Sequence, residues 1–177
     1  MKMKRLLSLA TMAGILALVA CKQNATAAQP DSGAQSQDIA PDFSLPTVQT
    51  GKLFQLSKER GKVVLVDFWA TWCPPCRMSI PNLIAMQKKY GGKNFTVVGV
   101  SLDQQAGVLP PFVKQWGMKY PVVNDMDGAV ARSYGGIRSI PTGILIDRHG
   151  KVITGFVGYH PKEELEAMLK QALAKKD

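Results

Sequence analysis

The sequence predicts an α/β fold in which helices flank a central mixed β-sheet. Two near-continuous apolar runs, at residues 63–70 and 94–101, have the length and composition of central strands covered on both faces. Each run is followed by a helical pattern, the order expected when parallel strands are joined by crossovers. Near the C-terminus, two shorter strand patterns flank a tight turn and add an antiparallel hairpin to the sheet.

The domain is predicted to begin near Pro41, with an extended arm that includes a short hairpin around Thr50-Gly51. After the strand at 63–70, a helix is predicted over residues 74–90, kinked by Pro81 and ended by Gly91-Gly92. The apolar positions of this helix, which we expect to face the core, are Met78, Leu83, Ile84 and Met86.

Further elements follow the second central strand. They are a helix at 109–116 opened by Pro110-Pro111, a short strand at 120–123, a short helix at 127–134, strands at 143–147 and 151–157, and a final helix at 161–174. The two last strands are joined by the tight turn Arg148-His149-Gly150, and Glu163 and Glu164 in the first turn of the final helix suit its dipole.

The N-terminus has the pattern of an export signal. Lys2, Lys4 and Arg5 precede an apolar stretch that is too short to span a membrane. Leu18-Val19-Ala20-Cys21 then resembles the lipobox of bacterial lipoproteins, which implies lipidation of Cys21; an ordinary signal peptide with an incidental cysteine is the alternative. We therefore predict a signal peptide at residues 1–20, a lipidated flexible tether at 21–40 and a domain at 41–177.

This signal implies an extracytoplasmic protein, on the periplasmic side, that is lipid-anchored to a membrane through Cys21. Lys22, and not Asp, follows the lipidation site, and lipoprotein sorting then weakly favours the outer membrane if the cell has two. The formal net charge is +9, but no Lys/Arg cluster stands out in the chain. We therefore expect a basic surface near anionic lipid and no nucleic-acid partner.

The number and spacing of the cysteines indicate a redox role and not a structural disulfide. The chain has three cysteines. If Cys21 is lipidated, only Cys73 and Cys76 remain to form a disulfide. A bridge between them closes a loop of a few residues and would constrain the unfolded chain little. The pair lies where a strand turns into a helix, whose free N–H groups would stabilise a Cys73 thiolate. Cys73 is thus the predicted nucleophile and Cys76 the less exposed resolving cysteine, with Trp72 and Pro74-Pro75 on the rim.

Two separate segments resemble the thioredoxin superfamily. Residues 67–81, DFWATWCPPCRMSIP, resemble its active-site segment, and Ser139-Ile140-Pro141-Thr142 resembles its second signature, an X-Pro peptide that is cis and faces the cysteines. The resemblance implies a thioredoxin-like fold and a backbone at Ile140 that can pair with an extended substrate. The arm and the insert at 101–142 add an N-terminal extension and a central insert similar to those of the TlpA/ResA/CcmG group of exported disulfide reductases.

The resemblance implies a protein-disulfide reductase. The Cys73 thiolate would attack a substrate disulfide, and Cys76 would resolve the intermediate and leave a Cys73–Cys76 disulfide. The implied substrates are exported proteins that carry disulfides, with apocytochromes c and copper-site proteins among the candidates. A membrane electron donor of the DsbD or CcdA type would reduce the pair again, and no cofactor is expected.

Two residues set this chain apart within the family it resembles. Asp67 stands where many TlpA-like sequences carry Asn; if it is buried beneath the cysteines, its pKa should be raised and it could accept the proton of Cys76. The alternative is a buried polar residue satisfied by hydrogen bonds. Ser79 stands where ResA-like proteins carry Glu and cannot supply that charge, so we expect Asp67 to take over the acid–base role.

The same residues bear on other functions. A peroxiredoxin-like thiol peroxidase needs a Pro-x-x-x-Thr-x-x-Cys setting, which residues 66–73 lack. A copper metallochaperone of this fold usually has Cys-x-x-x-Cys and a distal histidine, and the spacing here is one residue short. His149 and His160 are far from the cysteines in sequence, so we predict no metal site. Oxidase or isomerase activity stays open, because the motif does not determine the redox potential.

Overall fold

The computed structural model describes residues 39–92 and 94–175. The predicted signal peptide, the lipidation site at Cys21 and most of the predicted tether lie outside this part of the chain. From Ile39 onward the chain belongs to the folded domain: Ile39 forms a β-bridge with Lys151, and the N–H of Ala40 donates to the carbonyl of Gly150 at 2.9 Å. Contacts with the domain are thus already present at Ile39, two residues before Pro41.

The elements follow the predicted order. The strands are β1 (Ser44–Pro46), β2 (Leu53–Gln55), β3 (Val63–Trp69), β4 (Phe95–Ser101), β5 (Val122–Asn124), β6 (Thr142–Ile146) and β7 (Val152–Val157). The helices are α1 (Pro74–Tyr90), α2 (Leu109–Trp116), α3 (Ala129–Ser133) and α4 (Lys162–Ala174), with 3-10 turns at Leu56–Glu59 and Ala106–Val108. None of these helices has the length and apolar composition needed to cross a bilayer.

The main sheet is mixed, as predicted, and has the strand order β5-β4-β3-β6-β7. β3 pairs in parallel with β4, which pairs in parallel with β5, and the antiparallel hairpin β6–β7 joins the other side of β3. All residues of β3 and β4 are buried, because both faces of the sheet are covered. Helices α1, α2 and α4 cover one face; the arm and α3 cover the other.

Helices α1 and α2 span the predicted residues, and Pro81 lies within α1. The prediction for Met78 is wrong, since its side chain is exposed while Cys76, Ile80 and Leu83 are buried. These three residues recur at spacings of four and three, which places them on one stripe of the helix and turns Met78 outward. The helix predicted at 127–134 is shorter and begins where the Asp125 carboxylate accepts the N–H groups of Val130 and Ala131.

The arm is a hairpin that is tied to the insert. β1 and β2 pair antiparallel, and the turn between them contains Gly51 at φ 70°, a left-handed conformation that glycine tolerates without a Cβ clash. Beside this turn, the amide of Gln49 donates to the carbonyl of Tyr120 at 2.7 Å and accepts from the N–H of Val122 at 3.2 Å. The Gln49 side chain thus bonds the carbonyl group before Pro121 and the N–H group after it. These two hydrogen bonds tie the start of β5 to the arm.

Candidate active site

Cys73 and Cys76 form a disulfide at the N-terminus of α1, with an S–S distance of 2.01 Å and a Cα–Cα distance of 5.3 Å. Cys73 is the N-cap of the helix in an extended conformation, and its Sγ accepts a hydrogen bond from the N–H of Cys76 at 3.2 Å. Pro74 and Pro75 have no N–H group, so the donor that the first turn offers to this sulfur is the N–H of Cys76. A thiolate at Cys73 would be stabilised by that donor and by the helix dipole.

Both cysteines are buried in the disulfide form, at 3 % exposure for Cys73 and 1 % for Cys76. The predicted order of exposure is observed, but the difference is small. The rim beside them is open: the side chain of Trp72 is 65 % exposed, and Pro74 is exposed as well. Two of the predicted substrate-binding residues thus lie at the surface next to the sulfur atoms.

The peptide bond between Ile140 and Pro141 is cis, as predicted. It places the carbonyl oxygen of Ile140 3.7 Å from the Sγ of Cys73. A disulfide sulfur has no proton to donate, so this is a contact here, whereas a reduced Cys73 thiol could donate to that oxygen. The ring of Pro141 is buried, and its carbonyl accepts the N–H of Gly158 at 2.7 Å. The loop that faces the cysteines is therefore held by β7.

Asp67 lies on β3 and shares a face of that strand with Leu65 and Trp69, which pack in the same core cluster as both cysteines. The Asp67 residue is only 5 % exposed, and burial raises the pKa of its carboxyl group from 3.8 to about 7. Within residues 39–92 and 94–175, its carboxyl group accepts no hydrogen bond that would offset the loss of hydration. The predicted rise in pKa is confirmed, and burial alone causes it.

A buried carboxylate that the sequence analysis missed holds the active-site loop. Asp103 is 3 % exposed and accepts hydrogen bonds from the N–H of Thr71 at 2.9 Å, the hydroxyl of Thr71 at 2.6 Å and the hydroxyl of Ser101 at 2.8 Å. Thr71 is two residues before Cys73. The available signal was the Ser-x-Asp sequence at the carboxyl end of a central strand, where the ends of parallel strands gather functional loops.

We expect the substitution Asp103→Asn to loosen this loop. An amide offers one acceptor oxygen in place of two, so at least one of the three buried donors would lose its partner, at a cost of about 1–3 kcal/mol. Urea unfolding should show a decrease of that size in the free energy of unfolding. A double-mutant cycle with Thr71→Val should give a coupling of more than about 0.5 kcal/mol, whereas additive effects would mean that the two side chains do not act together.

The remaining candidates occupy other positions. Ser79 is buried on α1, and its hydroxyl donates to the carbonyl of Pro75 at 3.3 Å. His160 pairs with Glu164 and packs edge-on against Phe156, and His149 lies in the turn between β6 and β7. Across the described residues, no three His, Cys, Asp or Glu side chains come together in a group able to hold a metal ion.

Comparisons with known proteins agree with this geometry. The profile of the Redoxin family matches residues 35–173. A thiol-disulfide oxidoreductase ResA of Bacillus thuringiensis subsp. konkukian is 37 % identical over 132 residues, which are 75 % of either chain. A solved structure of a thiol:disulfide interchange protein DsbE of Chlorobium tepidum superposes with a TM-score of 0.72 at 44 % identity, covering 77 % of this chain and 96 % of the other.

A third relative carries a different description. The exposed lipoprotein thioredoxin of Streptococcus pneumoniae is 32 % identical, with a TM-score of 0.65, and the match covers 74 % of this chain and 99 % of that one. All three relatives have thiol–disulfide or thioredoxin names, and this chain has the paired cysteines, the cis X-Pro peptide and the mixed sheet described above. The chain therefore belongs to the Redoxin family, and it is a thioredoxin-fold thiol-disulfide oxidoreductase similar to the TlpA/ResA/CcmG group.

Proposed function

We propose that this oxidoreductase acts as an exported, membrane-tethered reductase of protein disulfides. The observation that carries the proposal is the Cys73–Cys76 disulfide at the N-terminus of α1, which packs in the same core cluster as Leu65 and Trp69, the neighbours of Asp67 on one face of β3. The pKa of the buried Asp67 carboxyl group is close to neutral. The helix terminus favours a thiolate at Cys73, and Asp67 is suited to exchange a proton near pH 7. Such a pair can carry out two successive thiol–disulfide exchanges.

In the first exchange, the Cys73 thiolate attacks one sulfur of the substrate disulfide. A bond forms between Cys73 and that sulfur, and the other substrate sulfur leaves as a thiolate and takes a proton from solvent. In the second exchange, Cys76 gives its proton to Asp67 and attacks the Sγ of Cys73. The second substrate sulfur leaves and is protonated in turn, so the substrate gains two electrons and the Cys73–Cys76 pair is oxidised.

Substrate binding is proposed for the rim around Cys73. Trp72 and Pro74 offer exposed apolar surface next to the sulfur, and the backbone of Ile140 lies within contact distance of it. An extended peptide could pair with this backbone as an added strand, which would bring its disulfide in line with Cys73. This mode selects for an accessible, extended segment and not for one particular sequence, so exported proteins with exposed disulfides are the proposed substrates, apocytochromes c among them.

The location and the electron supply are parts of the same proposal. The lipobox-like sequence before Cys21 supports a lipid anchor on the periplasmic side of a membrane, and one relative is described as an exposed lipoprotein. Because such compartments are oxidising, a reductase there needs a dedicated source of electrons. We propose a membrane carrier of the DsbD or CcdA type, whose dithiol would reduce the Cys73–Cys76 disulfide after each cycle.

The reduction potential of the Cys73–Cys76 couple tests the direction of this activity. We expect a value near that of thioredoxin, about −270 mV, when the full domain from residue 37 is equilibrated with dithiol buffers of known potential. A couple at that potential can reduce disulfides with higher potentials, which are the strained or exposed ones. A value near about −120 mV would identify a disulfide donor and would overturn the proposal of a reductase.

A further inference from the structure

Three buried polar groups lie unpartnered on the face of the sheet that holds the cysteines. Besides the Asp67 carboxyl group, these are the indole nitrogen of Trp69 and the hydroxyl oxygen of Tyr120, and neither of the two has a hydrogen-bond partner among the described residues. Trp69 is 1 % exposed, and Tyr120 is fully buried. Buried hydroxyl and indole groups are nearly always paired in native proteins, so two neighbouring donors without acceptors call for an explanation.

The strands next to Asp67 leave room for this cluster. In the register of the sheet, Asp67 is opposite Gly99 on β4 and Gly143 on β6, so neither neighbour has a side chain on the face of Asp67. The indole nitrogen of Trp69 and the ring of Tyr120 fill the space over Gly99: a methyl group there would lie 2.9 Å from Nε1 of Trp69 and 3.3 Å from Cε2 of Tyr120. Both side chains therefore lie over the residue that pairs with Asp67 across the sheet.

Electrostatic coupling connects the same residues. Burial raises the pKa of Tyr120 well above 10, and the carboxyl group of Asp67 raises it further. Tyr120 therefore keeps its proton when Asp67 is ionised, and it remains a donor throughout the pH range in which Asp67 titrates. The Tyr120 hydroxyl can therefore donate a hydrogen bond whenever the Asp67 carboxyl group is ionised.

The arm holds Tyr120 in this place. The side chain of Gln49 bonds both the carbonyl of Tyr120 and the N–H of Val122, at 2.7 and 3.2 Å. Gln49 lies 71 residues before Tyr120 in the sequence, so the contact exists only because the arm docks against the insert. The arm and the insert, which a minimal sheet-and-helix domain would lack, thus contact each other at Tyr120.

We propose that Tyr120 is a positioning residue for Asp67, and that its hydroxyl donates a hydrogen bond to the Asp67 carboxylate, directly or through one water, when that group gives up its proton. Trp69 is the second donor. A hydrogen bond to the charged form favours ionisation, so Tyr120 lowers the pH at which Asp67 becomes a base. This inference rests on the proposed function, because it explains the pH range in which Asp67 can accept the proton of Cys76 in the second exchange.

The elements around Asp67, within residues 39–92 and 94–175, differ in the titratable side chains that they contribute. Cys73 and Cys76, at the start of α1, do not titrate while they form a disulfide. The partners of Asp67 on β4 and β6 are Gly99 and Gly143, which add no titratable group, and the insert contributes Tyr120. On the β7 side, the ring of Phe156 occupies the space over Gly143, and His160 packs behind that ring. His160→Gln therefore serves as a control variant.

The test is a titration of the Asp67 carboxyl carbon by NMR in the oxidised protein, where neither cysteine contributes. We expect Tyr120→Phe to raise the midpoint of Asp67 by about one pH unit, because a hydrogen bond to a charged group is lost. Gln49→Ala should raise it in the same direction by less, since it frees the Tyr120 segment without altering the core. The pH profile of disulfide reduction should move by the same amount as the Asp67 midpoint.

Tyr134→Phe is the matched control. Tyr134 is also largely buried, but it lies on the other face of the sheet, and its hydroxyl donates to the carbonyl of Pro41 at 2.9 Å. This variant and His160→Gln should leave the Asp67 midpoint unchanged. A Tyr120→Phe midpoint within about 0.2 units of the wild type would overturn the inference. If Tyr120→Phe moves the midpoint but Asp67→Asn leaves the rate of disulfide reduction unaltered, the positioning stands and the proposed role of Asp67 in the reaction fails.

Discussion

Replacing Cys73 with serine should reduce disulfide reduction by at least roughly a thousandfold, because a hydroxyl remains protonated where a thiol at this helix terminus ionises. The Sγ of Cys73 is the N-cap acceptor of α1 and lies beside the carbonyl of Ile140. Serine can keep the capping hydrogen bond, so the helix should persist and the loss should reflect chemistry. Circular dichroism and turnover of a peptide disulfide measure the two effects separately.

Cys76→Ser is the matched variant, and it should fail at a different step. Cys73 can still attack, but without Cys76 no internal thiol displaces the substrate, so a mixed disulfide should accumulate in stoichiometric amounts. Mass spectrometry of the non-reduced protein detects this adduct. If Cys73→Ser formed the adduct and Cys76→Ser did not, the roles assigned to the two cysteines would be reversed.

Asp67→Asn should slow the enzyme and stabilise the fold at the same time. As the proton acceptor for Cys76, Asp67 contributes general-base catalysis, and its loss should lower the rate of the second exchange roughly a hundredfold near pH 7.5. In the wild-type protein that rate should fall as the pH drops below about 7, where Asp67 becomes protonated. Stopped-flow measurement of mixed-disulfide decay between pH 5.5 and 9 should show this dependence in the wild type and a flatter profile in Asp67→Asn.

Asp67→Asn should lower the rate of the second exchange but raise the free energy of unfolding. Because the pKa of Asp67 is about 7 in the folded protein and its ordinary value is 3.8, the folded state binds the proton more tightly than the unfolded state does. This stabilisation is fully present below pH 3.8 and is lost as the pH rises through about 7. The cost above pH 7 amounts to a few kcal/mol, at roughly 1.4 kcal/mol per pH unit. Asparagine carries no charge, so the variant should exceed the wild type in stability at pH 8.5 and gain little at pH 4.

Asp125→Asn is the control for this comparison. Asp125 is equally buried, but its carboxylate accepts two backbone N–H groups at the start of α3, at 3.0 and 2.8 Å. Its replacement should destabilise the domain at pH 8.5, because one buried donor would lose its acceptor. Urea denaturation at both pH values distinguishes the two cases. A loss of stability in Asp67→Asn at pH 8.5 would mean that hydrogen bonds to the ionised carboxylate, including the one proposed from Tyr120, outweigh the cost of burying its charge.

Local patterns in the sequence were enough to predict most elements of the fold and the redox pair. The strand at β3, the spans of α1 and α2 and the position of Cys73 at a helix terminus all follow from residues adjacent in the chain, whereas the cis peptide before Pro141 was expected from the resemblance to the thioredoxin superfamily. Periodicity, proline and glycine act over a few residues, so they can be read without knowing which strands are neighbours. The exception, Met78, shows that a helix can place an apolar residue outward when three others define its inner face.

The surroundings of the cysteines were decided by the tertiary structure. Asp103 holds Thr71 from 32 residues away, and Gln49 holds Tyr120 from 71 residues away. The register of β3 between β4 and β6 places glycines on both sides of Asp67, which makes room for Trp69 and Tyr120. The sequence alone showed an aspartate before a redox pair. Its raised pKa and its donors depend on strand pairing and the docking of the arm, because burial and hydrogen bonding are set by residues that only folding brings together.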